Sequence, residues 1–77
     1  GNPLQAQELY GRVIEDGGEE NYQFASEAAM LLGLLLETKN AQLSIDYFKL
    51  ARKLYKSGYY EYIDEISKKK IEELKSA

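Results

Sequence analysis

The chain has 77 residues, which bounds it at one small domain. It holds no cysteine and no histidine, so disulfides, thiolate nucleophiles and imidazole bases or ligands are all excluded. The net charge of −3 argues against generic nucleic-acid binding, and no apolar run reaches the roughly 20 residues that a bilayer span needs.

The first segment reads as a helix over about residues 3–16. Pro3 suits a first helical turn, where its missing N–H costs nothing, and Asn2 is available as a cap. Leu4, Leu9, Tyr10, Val13 and Ile14 then follow helical spacing, and Gly17-Gly18 breaks it. The acidic residues Glu15, Asp16, Glu19 and Glu20 lack the alternating ligand spacing of a calcium loop, so they read as helix-end charge.

The second helix is expected over 22–38. Phe24, Ala25, Ala28, Ala29, Leu31, Leu32, Leu35 and Leu36 recur at three- and four-residue intervals. That apolar face is wide, which implies cover on more than one side, with Ser26, Glu27 and Glu37 at a wet edge. Thr38-Lys39-Asn40 interrupts the pattern, and Asn40 is the expected N-cap of the next helix.

The third helix is expected over 41–57, ended by Gly58. It carries two apolar stripes. One is Leu43, Tyr47, Leu50 and Leu54; the other is Ser44, Phe48, Ala51 and Tyr55. A fourth helix over 59–75 has a narrow stripe of Ile63, Ile66, Ile71 and Leu74 and is otherwise polar, with Asp64–Lys68 and Glu65–Lys69 as favourable outer pairs.

The pattern Ala29-x-x-Leu32-Gly33-x-x-Leu36, followed by Ser44-x-x-x-Phe48-x-x-Ala51, resembles a tetratricopeptide repeat. Small residues at 29 and 33 let the partner helix approach, and Phe48 fills the wedge between the two. Ala29 stands where the family has Trp, Leu36 where it has Tyr and Ser44 where it has Ala; the family's closing Pro is missing. Ala6-x-x-x-Tyr10-x-x-Val13 echoes the second half of the motif 38 residues earlier. The resemblance implies an all-α fold of four antiparallel helices, a segment of an α-α superhelix, spanning 1–77 as a single domain.

No phosphate loop, metalloprotease helix or nucleophile elbow is present, so the expected function is non-enzymatic, with no cofactor and no metal. The resemblance implies a scaffold that binds a peptide or partner protein on a face lined by its first-type helices. Carried over, that face is Gln23, Glu27, Met30, Leu34 and Glu37. Seven tyrosines add a second signal, since tyrosine offers rigid apolar area with a polar tip. Tyr59, Tyr60 and Tyr62 cannot all point inward from one helix, which makes them further contact candidates.

Two alternatives stand beside this reading. Residues 1–40 carry seven acidic and two basic side chains, and residues 41–77 carry six acidic and eight basic. Such asymmetry suits a self-associating helical bundle acting as an oligomerisation domain. Lys68-Lys69-Lys70 suggests a small regulatory domain with weak nucleic-acid contact, but flanking Asp64, Glu65, Glu72 and Glu73 offset it. No signal peptide is visible, and a cytoplasmic location is the expectation.

Overall fold

The computed structural model describes residues 3–17, 22–55 and 61–76. They form four helices: α1 (Pro3–Gly17), α2 (Tyr22–Leu36), α3 (Ala41–Leu54) and α4 (Glu61–Ser76). The fold is all-α, as the spacing requires, and no strand occurs among the described residues. The expected cap at Asn2 and the stop at Gly58 lie outside the described residues, as do Tyr59 and Tyr60.

The helices pack largely in chain order. Contacts join α1 to α2, α2 to α3 and α3 to α4, with a smaller contact between α2 and α4. The result is a slab of 35 × 28 × 17 Å. Its least dimension is less than two helix diameters of about 10–12 Å each. No helix among the described residues is long and apolar enough to cross a membrane.

The α2–α3 connection shows how the sequence fixes the path. Helix α2 stops at Leu36, two residues before the expected end, because its carbonyl takes the N–H groups of both Lys39 (3.1 Å) and Asn40 (2.8 Å). The Asn40 side chain then accepts the Leu43 N–H at 3.1 Å, satisfying one of the orphan donors at a helix start. At the far end, α3 stops at Leu54. Tyr55 turns extended while its N–H still bonds to the Ala51 carbonyl at 2.9 Å.

Packing of α2 on α3 centres on Phe48, whose side chain is fully buried, as is Ala29. A Cβ placed on Gly33 would lie 2.8 Å from three carbons of that ring. Only glycine therefore lets the two backbones close on the phenylalanine. Beside it, the Ser44 hydroxyl donates to the Gly33 carbonyl at 2.5 Å, which adds a bond between the helices. The core continues through Ala29, Met30, Ile45, Ala51, Ile63 and Ile71.

Two expectations for α2 are corrected here. Ser26 is not part of a wet edge: it is fully buried, and its hydroxyl donates to the Gln23 carbonyl at 2.9 Å. A buried hydroxyl needs such a partner, and the carbonyl three residues back supplies it. Phe24 and Leu35, assigned to the core from their spacing, are exposed. Cover from α1, α3 and α4 still leaves their side of α2 open.

Candidate functional site

The open side of α2 carries Phe24, Ala28, Leu31 and Leu35, spaced i, i+4, i+7 and i+11 along one stripe. Tyr10 and Val13 of α1 approach from one flank. Together with Glu27 these residues line a cleft of about 220 Å³: Tyr10, Val13, Phe24, Glu27, Ala28 and Leu31. The cleft has a simple cause. Ala28 is small and buried, so the chain sinks between the larger side chains at 24 and 31. Phe24 stays 52% exposed and Leu35 37% exposed at the rim, with Leu9 of α1 59% exposed beyond it.

Two polar contacts tie α4 to α2 and to the turn that follows it. The Tyr62 hydroxyl donates to a Glu27 carboxylate oxygen. Lys70 forms an ion pair with Glu37 at 2.9 Å and reaches Glu73 at 3.6 Å. The hydrogen bond that Lys70 donates to Glu37 pushes its ammonium above its ordinary value; desolvation opposes this, and the nearby negative charges of Glu37 and Glu73 add to it. These contacts occur in the same order along both helices, and the joined residues are 35 and 33 positions apart. A third pair, Arg52–Asp64 at 3.0 Å, ties α4 to α3, so Asp64 turns to the neighbouring helix and not to Lys68 along its own, the partner its spacing suggests.

The residues expected to bind a partner do not gather in one place. Glu27 lines the cleft, and Tyr62, 40% exposed, stands over Glu27. Gln23 is half-buried at the start of α2. Met30 and Leu34 do not form an outward strip. Met30 is 4% exposed in the core, and Leu34 packs half-buried against that core. The reason is that this side of α2 faces a core built with Ile45, Phe48 and Ala51 of α3 and Ile63 and Ile71 of α4, and Glu37 just beyond it pairs with Lys70. Tyr59 and Tyr60 lie outside the described residues.

The cleft residues Tyr10, Val13, Phe24 and Leu31 carried a sequence signal that pointed elsewhere. Their helical spacing is that of a core face, and α2 is apolar almost all round. The alanines at 25, 28 and 29 were the available clue, since small residues mark the sides where neighbouring helices close in. No group of three or more acidic, histidine or cysteine residues among the described residues is placed to hold a metal ion. Comparison with protein-family models, with curated proteins and with solved structures returned no match.

Proposed function

We propose that the chain is a non-enzymatic protein-interaction module of tetratricopeptide-like build, which takes a peptide or partner protein in the α1–α2 cleft. The observation that carries this reading is the cleft itself, apolar in its lining, with half-exposed Phe24 at its edge and, among the described residues, a single carboxylate, Glu27, in its wall. Its volume of about 220 Å³ falls below the roughly 300 Å³ at which small-molecule sites begin. It suits one or two anchoring side chains of a larger partner.

The tetratricopeptide-like reading draws on three further features. Gly33 closes on Phe48, as the family motif wants. Ser67 stands 34 positions after Gly33, is likewise small, and is fully buried. The α2–α4 contacts join residues about one family period of roughly 34 apart.

Selection of peptides from a displayed random library tests the cleft. Peptides that bind the wild-type protein are expected to lose binding to a Phe24→Glu variant by at least an order of magnitude. Selected peptides that bind both proteins equally would show that the cleft is not the binding surface.

A further inference from the structure

The cleft has a counterpart on the same molecule. Leu43, Tyr47, Leu50 and Leu54 of α3 repeat the i, i+4, i+7, i+11 spacing of the α2 stripe, and all four are only half-buried. The buried stripe of α3 is the other one, Ser44, Phe48 and Ala51. The first stripe is thus an apolar ridge that the fold leaves partly uncovered.

The two surfaces differ in charge. Helices α1 and α2 together hold four acidic residues and one basic: Glu8, Glu15, Asp16 and Glu27 against Arg12. Helix α3 holds one acidic residue, Asp46, and three basic, Lys49, Arg52 and Lys53. Lys49 and Lys53 are exposed one turn apart, and among the described residues the one charged side chain lining the cleft is Glu27.

We infer that the occupant of the α1–α2 cleft is a second copy of this chain, whose α3 ridge docks there with its lysines toward the acidic half. This rests on the cleft being a binding surface, and it adds the identity of the partner. Matched apolar spacing supplies the contact, and opposite charge sets the orientation. Cleft and ridge are different surfaces, so the contact is head-to-tail, and each bound copy still offers one free cleft and one free ridge. Association therefore continues into short chains of copies instead of stopping at a symmetric pair.

Sedimentation velocity on the whole chain from micromolar to millimolar concentration tests this. Wild-type protein is expected to associate progressively, and more weakly as salt rises. Phe24→Lys in the cleft and Tyr47→Glu on the ridge are each expected to weaken association at least tenfold. Lys53→Glu is a second ridge variant that removes no packing, and circular-dichroism melting confirms that each variant folds.

The decisive measurement mixes the Phe24→Lys protein, whose ridge is intact, with a ridge variant, whose cleft is intact. Head-to-tail docking predicts that the mixture recovers a complex of two chains and goes no further. Impaired association with Phe24→Lys but unchanged association with both ridge variants would overturn the inference in favour of a symmetric pair. Wild-type protein that stays monomeric at millimolar concentration would overturn it too. If the displayed peptides still depended on Phe24, the cleft would remain a site for a different protein.

Discussion

Gly33 and Phe48 show how one missing side chain governs a contact. With three ring carbons 2.8 Å from where a Cβ would stand, Gly33→Ala forces the ring or the helix to move. Overpacking of this kind costs about 1–3 kcal/mol, despite alanine's better helix propensity. Urea unfolding of Gly33→Ala, Phe48→Leu and the double variant checks the mechanism. The double variant is expected to be more stable than the sum of the single losses allows, because the smaller residue at 48 relieves the clash. Strict additivity would show that the alanine is harmful for some other reason.

Ser67 makes the opposite case. It is fully buried, and its hydroxyl finds no hydrogen-bond partner among the described residues. An unpaired buried hydroxyl costs about 1–3 kcal/mol. Ser67→Ala is therefore expected to raise stability by about 1 kcal/mol, read as an increase in the urea midpoint with an unchanged slope. Asn40 is the ordinary counterpart: its side chain caps α3 at Leu43, so Asn40→Ala is expected to cost about 1 kcal/mol in the same assay.

At the scale of elements, α4 is held by buried isoleucines and by polar contacts that are largely exposed. Ile63 is fully buried and Ile71 nearly so, and Ile63→Ala is expected to cost about 2–5 kcal/mol. The Lys70–Glu37 pair adds a pH signature. Its bonded carboxylate raises the folded-state value of Lys70 above the ordinary 10.5. A raised value means stabilisation that is complete below the unfolded value and lost as pH rises through the folded one. The melting-temperature gap between wild type and Lys70→Gln is therefore expected to hold from pH 7 to 9 and to close above pH 10.5.

Helices were legible because each has a periodic pattern and a recognisable break. The Asn40 cap could be read from its chemistry, and the Phe48–Gly33–Ala29 wedge from the repeat-like motif. Orientation of α2 was harder to read. Phe24 and Met30 have the same apolar character, and only the placement of α3 and α4 decides that Met30 is covered while Phe24 is not. That placement depends on partners far along the chain: Tyr62 for Glu27 and Lys70 for Glu37. Local spacing carries no trace of either, so the face implied by the family resemblance named Glu27 and missed the cleft beside it.

For the molecule as a whole, packing in chain order makes stability uneven. Helix α1 packs on α2, whereas α2 is enclosed by three neighbours. A 77-residue chain at the usual 0.05–0.15 kcal/mol per residue has roughly 4–12 kcal/mol in all. Losing α1 alone exposes only one interface, so a local opening should precede global unfolding. Native-state hydrogen exchange is expected to show α1 amides opening at lower free energy than those of α2 and α3. Equal protection throughout would mean that the four helices unfold as one unit. The cleft uses side chains from α1, so partner binding is also expected to slow exchange there first.

The four residues linking α2 to α3 hold the hairpin at a fixed offset, pinned where the Asn40 N–H meets the Leu36 carbonyl at 2.8 Å. Ala29 lies four residues from Gly33, about 6 Å along the axis, and carries the Cβ that Gly33 lacks. A hairpin slid by that distance would press the ring of Phe48 on a methyl group instead of a bare Cα. The geometry therefore offers a single resting position, and lengthening the link by a few residues is expected to loosen the hairpin without giving it another.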